Sequence, residues 1–129
     1  MAYGFQPVLP LQRDDEDGFY VLTKTLAQNV KQNFKNLILT CPGERVMMPD
    51  FGAGIRRFLY ENNTFEVQGK IQSAIDEQVA THMPFLSVDQ LTFFEAEPEF
   101  TVSTNQGNTL SVQVFYSIPT RNLSDMLTI

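Results

Sequence analysis

The chain has 129 residues, 43% of them hydrophobic and 19% charged, which is ordinary globular material able to bury a modest core. Nine Lys and Arg against fifteen Asp and Glu leave a net charge of −6, which disfavours a phosphate-tracking surface, and nucleic acid is not expected as the main ligand. Cys41 is the only cysteine, which rules out an intramolecular disulfide framework and a thiolate zinc site; no metal or cofactor site is expected.

No stretch reaches the ~20 apolar residues of a membrane span. Residues 1–8 lack the basic-then-apolar order of a signal peptide. With no internal repeat or low-complexity linker, residues 1–129 read as one domain made in a reducing cytoplasm.

In chain order, Pro7, Pro10 and Gly18 frame two short extended segments, near 5–9 and 19–22, joined by an acidic turn. That turn holds Asp14, Asp15, Glu16 and Asp17, and without these four the net charge would be only −2 of the −6. Residues 23–40 form the clearest helix, with Leu22, Leu26, Val30, Phe34 and Leu37 as its apolar stripe. Thr25 and Gln28 suit a capping box, and Pro42-Gly43 stops the helix. Lys24, Lys31 and Lys35 fall on the opposite, solvated face.

Residues 43–54 are turn-rich, and a short helix over 55–60 follows. Asn63, with Glu66 three residues later, is the expected cap of a second amphipathic helix. Its stripe is Val67, Ile71, Ile75, Val79 and Met83, and Pro84 ends it. Beyond Pro84 the period changes to two: Leu91 and Phe93, then Phe100 and Val102, then Leu110, Val112, Val114, Tyr116 and Ile118. Residues 105–108 read as a hairpin loop, and Leu127 and Ile129 close a last short strand. The expected class is α+β: two main amphipathic helices plus a short one, packed on a small, mostly antiparallel sheet.

Little in this pattern suits catalysis. His82, the only histidine, stands at a helix end, where an interaction with the helix dipole accounts for it. Cys41 has no histidine near it in sequence and reads as an inert thiol. Gly52-Ala53-Gly54 lacks the Lys-Ser/Thr of a phosphate loop and reads as a turn with positive φ. Glu44 and Asp50 flank an apolar turn and could form a two-carboxylate hydrolytic pair. Arg45, Arg56 and Arg57 lie close by, however, and favour structural ion pairing over a raised carboxyl pKa.

The densest signal is residues 36–61, Asn-Leu-Ile-Leu-Thr-Cys-Pro-Gly-Glu-Arg-Val-Met-Met-Pro-Asp-Phe-Gly-Ala-Gly-Ile-Arg-Arg-Phe-Leu-Tyr-Glu. This stretch resembles the contractile-tail baseplate wedge family, the sheath initiators of phage baseplates with relatives in type VI secretion. The family pattern is a helix ending in Leu-x-Thr, then Pro-Gly-Glu-Arg, then Pro-Asp/Glu-Phe-Gly, then a helix ending in an aromatic-Glu pair. Leu39 to Cys41 with Thr40 between, then residues 42–45, 49–52 and 60–61, follow it in order, with Leu-Thr-Cys in place of Leu-x-Thr and Tyr60 where phenylalanine is commoner. The family's Glu, Pro and Arg triad falls on Glu44, Pro49 and Arg56, with Arg57 as the fallback.

The resemblance implies that Glu44, Arg45, Pro49, Phe51, Gly52, Arg56 and Arg57 grip the helical core of neighbouring wedge proteins. It implies a non-enzymatic baseplate component in the virion tail, assembled in the host cytoplasm, that joins the wedge to the first ring of sheath subunits. Its partners would be other wedge proteins, the tail sheath protein and tube- or hub-proximal proteins, at six copies per baseplate. Family members are also labelled lysozyme-like, so a peptidoglycan hydrolase using Glu44 and Asp50 is the alternative. A small regulatory binding domain is a third.

Overall fold

The computed structural model describes residues 4–16, 18–62, 64–95 and 110–129. Its elements run helix α1 (Leu26–Leu39), a 3-10 helix (Ile55–Tyr60), helix α2 (Phe65–His82) and strands β1 (Ser87–Glu95), β2 (Leu110–Ile118) and β3 (Leu123–Thr128). The class is α+β. The expected third helix is a single 3-10 stretch, packed against α1 and α2.

Helix α1 begins at Leu26, three residues inside the expected 23–40 but at the expected Thr25–Gln28 cap, because the Thr25 hydroxyl accepts from the Gln28 N–H at 3.3 Å and relieves one orphan donor. The Gln28 side chain returns the contact one residue earlier, accepting from the Lys24 N–H at 3.4 Å. At the other end the Thr40 hydroxyl donates to the Asn36 carbonyl at 2.6 Å, and Pro42 follows in the sequence. Val30, Phe34, Leu37 and Ile38 are buried. Leu26, expected in the same stripe, is 38% exposed, since the first turn of α1 lies outside the main core.

Helix α2 is capped by Thr64, one residue later than expected; its hydroxyl accepts from the Val67 N–H at 3.4 Å. The four-residue stripe Val67, Ile71, Ile75 and Val79 is buried throughout, and Met83 continues it beyond the last turn. His82 closes the final turn.

The sheet is an antiparallel meander in the order β1-β2-β3. Val112, Val114, Tyr116 and Ile118 of the central strand point inward, as their alternation requires, and meet Leu91, Phe93 and Leu127 on that face. Helix α1 contacts β3 and helix α2 contacts β1, so the helices form one layer over one face. Phe34 meets Tyr116 edge-on at 5.0 Å between ring centres. Lys31 is not on the open face of α1: its Nζ lies 3.2 Å from Asp125 of β3. The expected strand around Phe100 and Val102 and the loop at 105–108 lie outside the described residues.

Ahead of α1, residues 5–8 and 12–14 pair irregularly with 19–23, with bridges Pro7–Leu22 and Arg13–Tyr20. This ladder is tied to α1 by polar contacts. Gln32 donates to the Pro7 carbonyl (2.9 Å) and accepts from the Leu9 N–H (3.1 Å), and Gln6 donates to Asn33 (3.1 Å). Among the described residues, no helix is long and apolar enough to cross a membrane.

Candidate partner-binding site

All seven sequence-derived site residues lie in residues 44–57, on or just after the loop that leaves α1 and returns to its C-terminal end. The return is made by backbone bonds. The Ala53 N–H donates to the Leu37 carbonyl and the Gly54 N–H to the Thr40 carbonyl, both at 3.0 Å. Such a close approach requires Gly52 and Gly54. Both have positive φ, at +114° and +67°, and a Cβ on Gly52 would run into the Thr40 carbonyl.

A second tether comes from α2, and sequence reading missed it. Gln78 accepts from the Gly52 N–H at 2.9 Å and donates to the Asp50 carbonyl at 3.2 Å, fastening both sides of Phe51. Its only sequence signal is an amide one residue before stripe position Val79, which many solvated helix residues share. Phe51 packs edge-on against His82 with ring centres 4.9 Å apart, and the Arg45 guanidinium lies over the Phe51 ring, 4.0 Å from its centre. His82 is therefore part of the loop's support as well as the end of α2. The half-buried Cys41 is a free thiol at the start of the loop.

The neck of the loop closes through the Gly43 N–H donating to the Pro49 carbonyl at 2.7 Å. Glu44 folds back, its Oε2 accepting from the Cys41 N–H at 3.3 Å. Among the described residues it forms no ion pair with Arg45, Arg56 or Arg57, contrary to the expectation of structural ion pairing. The carboxylate is instead directed back to Cys41, whose carbonyl also accepts from the Glu44 N–H at 3.2 Å. Glu44, Arg45, Pro49, Asp50, Arg56 and Arg57 are all exposed, while Gly52 is buried and Phe51 half-buried. No group of three or more His, Cys, Asp or Glu among the described residues is placed to hold a metal.

A second outward surface is the outer edge of β3, which pairs with no further strand among the described residues. Val112 and Ile129 exchange both backbone bonds, at 2.9 and 3.0 Å. Antiparallel alternation then turns Leu127, Asp125 and Leu123 toward β2 and leaves the backbone groups of Ser124, Met126 and Thr128 on the outside. The middle outward donor is occupied: the Met126 N–H donates to Asp125 Oδ1 at 2.7 Å, while Oδ2 faces Lys31.

An α+β adaptor with a stapled, charged loop and an available sheet edge has the form of an assembly protein. The family model described as baseplate wedge protein gp25 matches residues 24–123, and the chain belongs to that family. It is thus a structural protein of a phage-tail-like baseplate. The fold is similar to a chain of the six-fold symmetrised anti-feeding prophage baseplate. That match has a TM-score of 0.69 and 25% identity, over 88% of this chain and 83% of the other. It is also similar to the provisionally named tail lysozyme of Geobacter sulfurreducens, at TM-score 0.67 and 20% identity, over 84% of this chain and 91% of the other. No curated protein matches the chain.

Proposed function

We propose that the chain is a single-domain, non-enzymatic wedge component that joins the wedge core to the first ring of sheath subunits. Loop 41–54, with Arg56 and Arg57 beyond it, faces the helical core of other wedge proteins, and the free edge of β3 meets the sheath. The observation that carries this reading is the loop itself: its base is fastened to both helices while its charged residues stay exposed. A fastened surface loses little freedom on binding. The matched baseplate is six-fold symmetrised, which supports six copies around the tail. In this reading the further partners are tube- or hub-proximal proteins and the particle is assembled in the host cytoplasm.

A hydrolytic role gains no support from the geometry. A general acid needs burial to keep its proton near neutral pH, and Glu44 and Asp50 are both exposed. The resemblance to the provisionally named tail lysozyme concerns the fold alone.

The test is particle assembly with Glu44→Ala and Arg56→Ala. Both side chains are exposed and unpaired with each other, so each change costs under about 1 kcal/mol of stability. Wedge assembly fails with both. Normal assembly by folded variants would remove these residues from the interface.

A further inference from the structure

Between the signature residues Arg45 and Pro49 stand Val46, Met47 and Met48. Val46 is 94% exposed and Met47 91%, so the loop tip shows nearly all of two adjacent apolar side chains to water. Scattered exposed apolar residues are ordinary. A neighbouring pair at near-total exposure on a fixed base is not. The Gly43–Pro49 bond closes the neck, the Phe51 N–H donates to the Met48 carbonyl at 3.1 Å, and Gln78 holds the returning limb.

The loop and the turn after it carry three exposed arginines against the exposed carboxylates of Glu44 and Asp50, a local positive excess. Arg45, Arg56 and Arg57 are three of the five arginines in a chain whose net charge is −6. Glu44 is turned back onto the Cys41 N–H. An apolar tip on a loop whose base carries Arg45 over Phe51 and Arg57 beside Gly54 complements an apolar groove flanked by carboxylates.

We infer that Val46 and Met47 are the apolar anchor of the partner interface, entering a groove between helices of another baseplate protein whose rim carries carboxylates. This inference rests on the wedge-facing reading of the loop and adds which side chains hold the partner. Methionine suits an irregular groove because its unbranched thioether adapts its shape. Arg45, Arg56 and Arg57 then select the acidic rim through directed, planar hydrogen bonding. An anionic bilayer offers related chemistry, but membrane binding scales with the apolar area inserted. A tip two residues wide, on a base that cannot spread, fits a groove better.

The test uses the full chain and the purified wedge proteins of the same particle, with binding measured by calorimetry at low and high salt. The double variant Val46→Ser/Met47→Ser binds roughly 30-fold or more weakly, the loss typical of a hot spot. Its salt dependence is unchanged, because apolar contact is not screened. Arg45→Ala/Arg57→Ala instead flattens the salt dependence. Both tip side chains are exposed, so the serine variant melts like the wild type. If that variant binds as tightly as the wild type, the anchor is refuted and the wedge reading stands. If the wild type binds no wedge protein, the wedge reading fails and the anchor with it. Sedimentation of the wild type with phosphatidylcholine–phosphatidylglycerol vesicles, lost in the serine variant, would make the partner a membrane and overturn the inference.

Discussion

Loop 41–54 and the free edge of β3 are both outward surfaces, yet they are made in opposite ways. The loop spends its backbone groups inward, on Leu37, Thr40 and Gln78, and presents side chains. The β3 edge packs Leu127 inward and presents backbone groups at Ser124 and Thr128. A surface of the first kind chooses its partner by residue identity. One of the second kind accepts any strand of suitable register, because every residue offers the same N–H and C=O. The first therefore needs particular residues at particular spacings, and the second needs protection until its partner arrives.

The largest test of this contrast is Gly52→Ala. A Cβ there meets the Thr40 carbonyl at a φ of +114°, so the loop must leave the end of α1. The expected loss is about 3 kcal/mol or more in urea unfolding, from strain and clash together. A loss below about 1 kcal/mol would mean that the loop is not stapled by its backbone.

Gln78→Ala is gentler, since it removes two side-chain bonds and leaves the glycines in place. The expected loss is about 1–2 kcal/mol. Hydrogen exchange should quicken at Gly52 while the β2–β3 ladder keeps its protection. Uniform quickening would show that the two surfaces do not open separately.

Asp125→Ala probes the edge. Its ion pair with Lys31 is roughly half exposed at both ends, so stability should change by less than about 1 kcal/mol. The Met126 N–H is left open, and sedimentation velocity should show self-association at concentrations where the wild type does not associate. An equally monodisperse variant would remove Asp125 as the guard of the edge.

The smallest effect is a pH dependence at Tyr116. Burial, and then the charge of Asp125, push its phenol from 10.0 up to about 12. Between those values the folded chain keeps a proton that the unfolded chain has released. The contribution of the neutral phenol is therefore full below pH 10 and is lost as pH rises toward 12. Tyr116→Phe should flatten that alkaline decline, and Asp125→Ala should make it smaller and end it at lower pH, because the folded-state value falls while the unfolded one stays. An identical decline in Tyr116→Phe would assign the alkaline loss to other groups.

Periodicity alone located both helices, the buried stripe of α2 and the inward face of β2, because each depends on spacings of three to four or of two residues. The backbone of the loop was legible for a related reason, since Pro49, Gly52 and Gly54 report turn geometry, whereas Glu44 and Arg56 entered only through the family resemblance. Tertiary structure decided the rest. The exposure of Leu26 and the contact of Lys31 with Asp125 depend on where α1 lies over the sheet. The same is true of Gln78, which reaches the loop from a helix twenty-six residues away from Gly52. Glu44 turned to the Cys41 N–H rather than to an arginine because an available backbone donor lay three residues away. That β1 and β3 became the edges of the described sheet and β2 its centre was likewise beyond sequence pattern, since hydrogen-bonding order is a property of pairs of strands and leaves no mark on either one alone.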